Sequence, residues 1–197
     1  IAAVRPAPTR PLVRFEGERF TFRGTRGSLR FGKSEGHEFS VFGQARLDGY
    51  KPEDSPFLTG MDKRRISLDL GLASTWTSQK FGQVELSVAA DALDRSGGVE
   101  AVAAWNALFR AGQWTFIPGV SVGWRNADLV DYYYGVRSYE AIVGRPAYAG
   151  QSALTPDISM LATRKLGERW SLFARATHVW YPSEISDSPI VDKDQGT

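Results

Sequence analysis

The side chains able to carry out chemistry in this chain are few. It contains two histidines and no cysteine, so disulfide bonds and thiolate nucleophiles are excluded, and no metal-ligand spacing is present. A lipid hydrolase would need a histidine beside a serine and a carboxylate or asparagine. His178 is the better candidate, although its neighbour Trp180 favours an interfacial histidine among aromatic residues. His37 is predicted in a solvated turn, and no cofactor is expected.

Charged residues suggest binding only weakly. The formal net charge of +2 is too small to favour a nucleic-acid partner. The basic run Lys63-Arg64-Arg65 could contact lipopolysaccharide phosphates, or it could be a solvated charge run. The acidic stretches Glu53-Asp54 and 192–194 could hold a cation or simply be solvated loop charge.

Strict alternation of apolar and polar residues dominates the elements that must position these groups. Between Trp114 and Trp124 the apolar set occupies the even positions, and segment 170–180 repeats the pattern. A period of two places the sets on opposite faces of a strand. No segment approaches the roughly 18 apolar residues of a membrane helix. The pattern predicts an all-β chain of half-apolar strands, in which segment 99–109 alone would also suit a helix.

The connections between these strands alternate between short and long. Tight turns at 78–80, 111–112 and 167–168 are separated by the connections 48–64, 95–98, 126–150 and 183–197. Outer-membrane β-barrels are connected in this way, with short periplasmic turns and longer extracellular loops. A core of tryptophans in a soluble β protein is the alternative.

Aromatic residues close to the turns support the barrel. Trp114 and Trp124 are ten positions apart, or roughly 33 Å along a strand, which strand tilt reduces to about 25 Å, near the height of a lipid-facing band. The edges of that band carry aromatic girdles. The predicted membrane-interface girdle comprises Trp76, Trp114, Trp124, Trp170, Trp180 and Tyr181.

The predicted fold is therefore one domain over 1–197, an antiparallel transmembrane β-barrel located in the bacterial outer membrane. We expect about twelve strands in the complete protein, with about ten present here and the first and last missing. The predicted strands are 9–15, 18–23, 26–32, 36–47, 65–77, 81–93, 99–110, 113–125, 152–166 and 169–182. Mixed charges on the inward phase favour a plugged or narrow lumen.

Several loop segments resemble the MltA-interacting protein (MipA/OmpV) family of outer-membrane proteins. These segments are Gly49-Tyr50, Leu58-Thr59-Gly60-Met61, Asp131-Tyr132-Tyr133-Tyr134-Gly135-Val136, Pro146-Ala147-Tyr148 and Ser188-Pro189-Ile190-Val191. The resemblance implies a non-enzymatic barrel that links a lytic murein transglycosylase and a bifunctional murein synthase to the outer membrane. A narrow porin-like or surface-interaction barrel is the alternative, and a lipid hydrolase using His178 is a third possibility.

The segment from Asp131 to Val136 is the predicted interaction loop. Its three tyrosines, Tyr132, Tyr133 and Tyr134, cannot all face one side of a strand, so at least one should project from the loop. Tyrosines are favoured binding anchors. In the alternative, the tyrosines fold back over the barrel mouth or join the upper girdle. Expected partners are membrane lipid, lipopolysaccharide, a murein hydrolase and a murein synthase.

Overall fold

One antiparallel sheet organises the chain. The computed structural model describes residues 14–167 and 170–191, which include eleven strands. The strands are β1 (Arg14–Glu16), β2 (Phe20–Arg23), β3 (Arg26–Ser34), β4 (His37–Arg46), β5 (Ser67–Ser78), β6 (Gly82–Asp91), β7 (Val99–Asn106), β8 (Phe109–Ala111), β9 (Trp114–Arg125), β10 (Ala153–Lys165) and β11 (Ser171–Val179). Within these residues β1 and β11 form the two edges, so the described strands do not close the barrel.

Strands that follow each other in the chain are neighbours in the sheet. The exception is β8, which pairs with β9 alone, beyond the end of β7. The break lies at Ala107 and Leu108, where the Ala107 N–H still donates to the Pro118 carbonyl. Segment 99–109, which would also have suited a helix, is therefore a strand interrupted near its end. Its alternating neighbours on β6 and β9 select the extended conformation over the helix propensity of alanine.

The two faces of the sheet differ sharply in polarity. The outer face carries apolar side chains that no other described part of the chain covers. The inner face lines a polar cavity. The outer set includes Leu68, Leu70, Leu72, Val84, Leu86, Val88, Val120, Val122, Leu154, Ile158 and Met160. An exposed apolar face with a polar interior is the arrangement of a transmembrane barrel. It confirms the all-β antiparallel fold predicted from the alternation.

The strand predictions from 18–23 to 169–182 agree with β2 to β11 within a few residues. Of the first predicted strand, 9–15, the residues 9–13 lie outside the described part, and the structure begins with the short β1 at Arg14. The total of about twelve strands stays a prediction. Within the described residues, no helix is long and apolar enough to cross a membrane.

The connections distinguish the two ends of the sheet. At the short-turn end, tight turns join β3 to β4, β5 to β6, β8 to β9 and β10 to β11. At the long-loop end lie the connections 47–66, 92–98, 126–152 and 180–191, with one tight turn at 24–25. The long loops contain two α-helices, α1 (Ala127–Tyr134) and α2 (Ser183–Ser186), and 3-10 turns at Pro52–Asp54, Pro56–Leu58 and Ser138–Glu140.

Candidate functional site

Three long loops interlock above the interior cavity and form the best-buried part of the described molecule. We call this layer the cap and define it as residues 47–66, 126–152 and 180–191. Its buried apolar side chains form two clusters. They are Tyr50, Leu58, Met61, Leu129, Val130, Tyr133, Tyr134, Val136, Ile185, Ile190 and Val191. Burial of this kind stabilises the loops as a small core of their own.

Helix α1 forms in the cap because its first turn is well capped. The Asn126 side chain accepts hydrogen bonds from the backbone N–H groups of Leu129 and Val99, which joins the helix to β7. Asp128 lies in the first turn, where a carboxylate is favoured by the helix dipole. The helix ends at Tyr134 with Gly135 as its C-cap, and the Asp131 carboxylate accepts from the Gly150 N–H at 2.7 Å.

The predicted interaction loop, Asp131 to Val136, contributes to this helix and its end. Tyr133, Tyr134 and Val136 are buried, Tyr132 is half-buried and the Asp131 side chain is exposed. The tyrosines therefore fold back over the mouth of the sheet, as the alternative interpretation expected. Helical spacing brings Leu129, Val130, Tyr133 and Tyr134 to one face, which the strand-based argument did not consider. Contact of this segment with a partner stays a prediction.

A fully buried ion pair joins two of the cap loops. The Arg64 and Glu140 side chains are 1% and 0% exposed. Arg64 donates through Nη1 to Oε1 at 2.9 Å and through Nη2 to Oε2 at 2.8 Å. This two-point geometry is the strongest form of a carboxylate–guanidinium contact. Arg64 also donates to the backbone carbonyls of Asp62, Tyr132 and Gly135, so all three of its guanidinium nitrogens form hydrogen bonds.

The Glu140 carboxylate is equally well satisfied. It accepts from the backbone N–H groups of Asp62 at 2.8 Å and Arg137 at 2.9 Å in addition to Arg64. Burial by itself raises the pKa of Glu140, but these hydrogen bonds outweigh burial and lower the pKa to about 2. Glu140 is therefore ionised at neutral pH.

Arg145 is a second buried guanidinium with a different set of acceptors. It donates to the backbone carbonyl of Glu140 at 2.7 Å and to that of Thr59 at 3.2 Å. It also donates to the carbonyl of Phe57. Among the described residues no carboxylate pairs with it. Arg145 thus ties the 3-10 turn at Pro56–Leu58 to the longest loop through backbone groups alone.

Tyrosine hydroxyl groups bind the last residues of the first cap loop, just before β5. The Tyr132 hydroxyl accepts from the Arg65 N–H at 3.0 Å, and the Tyr133 hydroxyl donates to the Arg65 carbonyl at 3.1 Å. Ser188 donates to the Tyr134 carbonyl at 2.6 Å, which attaches the third loop. All segments that carry the family resemblance therefore meet in the cap. Sequence reasoning located them in loops but not against each other.

Below the cap lies a polar cavity of about 300 Å³ lined by charged side chains, and a second cavity of about 440 Å³ follows towards the short-turn end. Arg46 contacts Asp69 at 2.5 Å and Glu100 at 2.9 Å, and Arg125 contacts Glu100 at 2.8 Å. Tyr134 joins this network from the cap, since its hydroxyl lies 3.4 Å from Arg125 Nη1. Cross-strand ion pairs therefore line the cavity directly beneath the cap.

The predicted girdle residues divide between the two faces. Trp76, Trp124, Trp170 and Trp180 are exposed, and Trp114 is half-buried beside the Arg164 guanidinium. Tyr181 differs from these tryptophans, because it packs against the inner cluster of the cap and lines the cavity. Adjacent residues of an extended segment face opposite sides, which separates Tyr181 from Trp180. A membrane-interface role for the tryptophans stays a prediction.

His37 contacts a serine, but no hydrogen bond between described residues joins either histidine to a carboxylate. The His178 ring lies 4.5 Å from the Trp180 ring and its neighbour across the sheet is Ile158. His37 is the first residue of β4 rather than a turn residue, with Nε2 2.8 Å from Ser74 Oγ and its ring stacked on Trp76 at 4.8 Å. In the described ranges no cluster of histidine and acidic side chains is suited to a metal ion.

Comparison with known proteins extends these observations. The model of the family described as MltA-interacting protein MipA matches residues 4–197. The chain is 28% identical over 186 residues to the MltA-interacting protein of Escherichia coli (strain K12), covering 93% of the chain and 75% of that relative. It is 30% identical over 188 residues to the putative outer membrane protein YiaT of the same organism, covering 94% and 76%.

A third relative is the outer membrane protein OmpV of Vibrio cholerae, which is 25% identical over 143 residues, covering 73% of the chain and 55% of that relative. No solved structure matches the chain.

Proposed function

The chain belongs to the MltA-interacting protein MipA family of outer-membrane proteins, and on this basis we propose that it is a non-enzymatic scaffold for murein-remodelling enzymes. One observation carries the proposal, the contrast between the two ends of the sheet. The long-loop end is covered by the buried cap, and the short-turn end exposes apolar side chains. A barrel that is covered at one end and exposes apolar side chains for contact at the other is better suited to anchor a partner than to form a channel.

The orientation of the barrel in the membrane indicates which partners the short-turn end can reach. Short turns of outer-membrane barrels face the periplasm, where murein and its enzymes lie. The Escherichia coli relative is named for its interaction with MltA. We extend that interaction to this chain, with a lytic murein transglycosylase as the direct partner and a bifunctional murein synthase as the second.

A turn and a neighbouring strand break at the short-turn end supply a contact surface. Phe81 lies in the turn between β5 and β6, Leu108 lies in the break between β7 and β8, and both are more than half exposed. The turn and the break are in contact, because a side chain added at Gly82 would meet the Asn106 carbonyl and Ala107. The Trp105 indole N–H donates to the Phe81 carbonyl at 2.7 Å, which holds the turn in place. Phe81 and Leu108 are more than 20 residues apart in the chain, so their proximity is not visible in the sequence.

A narrow pore is the competing function, and the cavity beneath the cap argues against it. The ion pairs of Arg46, Glu100 and Arg125 line this cavity, and the cap covers it. We propose that these features hinder the passage of ions. We therefore expect the intact protein to conduct poorly in planar bilayers.

Surface interaction at the long-loop end is a second candidate function. The tip of the longest loop exposes Tyr139, Ile142 and Val143, and Val143 is fully exposed. Ile142 and Arg145 exchange backbone hydrogen bonds at 3.0 Å, so the tip is a tight turn above the buried Arg145. An apolar tip held on a buried base suits contact with another surface.

One capture experiment separates the scaffold from the surface interaction. Full-length protein in detergent is used to capture purified lytic transglycosylase, with two double variants in parallel. Loss of capture in Phe81→Ser/Leu108→Ser, with retention in Tyr139→Ser/Val143→Ser, would support the scaffold. Retention in the first variant and loss in the second would support the surface interaction. No capture by the unmodified protein would refute the scaffold.

A further inference from the structure

Exposed cations cluster on one face of a short antiparallel pairing in the cap. Tyr50 and Arg64 form an isolated bridge, with N–H to carbonyl distances of 2.9 Å and 3.0 Å. Both of their side chains are buried. Neighbouring residues on extended chains point to the opposite face, and here those neighbours are Lys51, Lys63 and Arg65, all exposed.

These cations are not held in ion pairs, although the Asp54 carboxylate accepts from the Lys51 backbone N–H at 2.8 Å. Lys51 and Lys63 occupy directly opposed positions beside the bridge, and like charges in such positions are destabilising. Within the described ranges, none of Lys51, Lys63 and Arg65 forms an ion pair. Anionic groups bound from outside would remove the repulsion.

The backbone that carries these cations is held in place before any ligand arrives. The hydroxyl groups of Tyr132 and Tyr133 bond the N–H and the carbonyl of Arg65, as described above. Gly49 lies opposite Arg65, and a side chain there would come within 2.7 Å of the Arg64 carbonyl and the Ile66 N–H. The glycine thus permits the close approach of the two segments. A pre-positioned site loses less conformational freedom on binding.

Apolar surface begins immediately beside the cations. Ile66 is 60% exposed, and Leu68 and Leu70 continue along the outer face of β5. A ligand that contacts both features must carry negative charge at one end and hydrocarbon at the other. Lipids with phosphorylated headgroups have this chemistry, and cations near an anionic membrane surface attract them.

We infer that Lys51, Lys63 and Arg65 bind the phosphate groups of lipopolysaccharide in the outer leaflet. The inference rests on the proposed orientation, which places the long loops on the outer side. It also corrects the expectation for the basic run at 63–65, because Arg64 is buried against Glu140 and cannot reach a lipid. Lys51, which is distant from that run in sequence, takes its place.

Binding of fluorescent lipopolysaccharide to the full-length protein in uncharged detergent tests the inference. The variant Lys51→Gln/Lys63→Gln/Arg65→Gln should weaken binding about 100-fold, since each cation near an anionic surface contributes about 1 kcal/mol. The control Arg19→Gln/Lys80→Gln/Arg110→Gln removes three exposed cations from the short-turn end. It should change binding less than about twofold.

Further measurements keep the test decisive if the triple variant folds poorly. With the unmodified protein, dephosphorylated lipopolysaccharide should compete weakly, and so should phosphatidylglycerol vesicles at equal phosphate concentration. Equal loss in both triple variants, or equal competition by either lipid, would overturn the inference. The cation variant should still capture the lytic transglycosylase, so failure of this site and failure of the scaffold proposal give different results.

Discussion

Replacing Glu140 by glutamine tests whether the buried ion pair holds the cap together. The carboxylate accepts two hydrogen bonds from Arg64 and one each from the N–H groups of Asp62 and Arg137. A glutamine side chain has nearly the same shape, but its NH₂ group would face donors. It would also leave the Arg64 guanidinium buried without a countercharge.

Removing one partner of a buried ion pair costs about 3–5 kcal/mol. The lowered pKa of Glu140 has the same sign, because its surroundings favour the charged form of the carboxyl group. Since about 1.4 kcal/mol is a factor of ten, opening of the cap should become more frequent by roughly 100-fold or more.

Amide hydrogen exchange of the full-length protein in detergent, followed by mass spectrometry, measures this opening. Glu140→Gln should accelerate exchange of peptides from 126–152, while strand peptides stay protected. The control Glu53→Gln removes an exposed carboxylate from another cap loop and should leave exchange unchanged. Indistinguishable exchange in the two variants would refute the claim that the ion pair stabilises the cap.

Three further predictions concern pH, an unpaired hydroxyl and the lipid-facing surface. Because the pKa of Glu140 is lowered to about 2, the protection of cap amides from hydrogen exchange should be constant above about pH 5. It should fall as the pH drops from about 4.5 through 2, which hydrogen exchange measured at a series of pH values would detect. Tyr50→Phe should leave the thermal stability unchanged or raise it, because the buried Tyr50 hydroxyl has no hydrogen-bond partner among the described residues. Tyr133→Phe should instead lower the stability by about 1 kcal/mol, because it removes the hydrogen bond to Arg65. Leu72→Lys should destabilise the protein by about 2–4 kcal/mol in bilayer refolding, whereas Thr75→Lys, on the cavity side, should have little effect; equal effects would contradict the assignment of the outer face.

The strands were predictable because a single physical requirement governs them. Each residue must be apolar on the lipid-facing side and polar on the inner side, and this requirement produces the period of two seen from Trp114 to Trp124. The alternation is visible in the sequence without any knowledge of which residues contact each other in the fold. The break after Asn106 was missed, because the alternation in this alanine-rich segment is too weak for an interruption at Ala107 and Leu108 to be visible.

The cap could not be predicted in the same way. Arg64 and Glu140 are 76 positions apart, and nothing in their spacing joins them. In sequence, Arg64 is one of three consecutive basic residues, which favours solvent exposure. One local signal was available, since Asn126 followed by Asp128 and an apolar residue at 129 is a typical helix start, and it would have predicted α1.

The cap explains why loops rather than strands carry the family resemblance. An outward-facing strand position such as Leu72 is satisfied by any apolar residue, because lipid imposes no shape. The cap segments instead require particular groups, such as the Tyr132 hydroxyl at Arg65 and the Ser188 hydroxyl at the Tyr134 carbonyl. A substitution there leaves a buried polar group unpaired, which costs about 1–3 kcal/mol. We therefore expect loops that form a buried polar core to tolerate fewer substitutions than the membrane-spanning strands that support them.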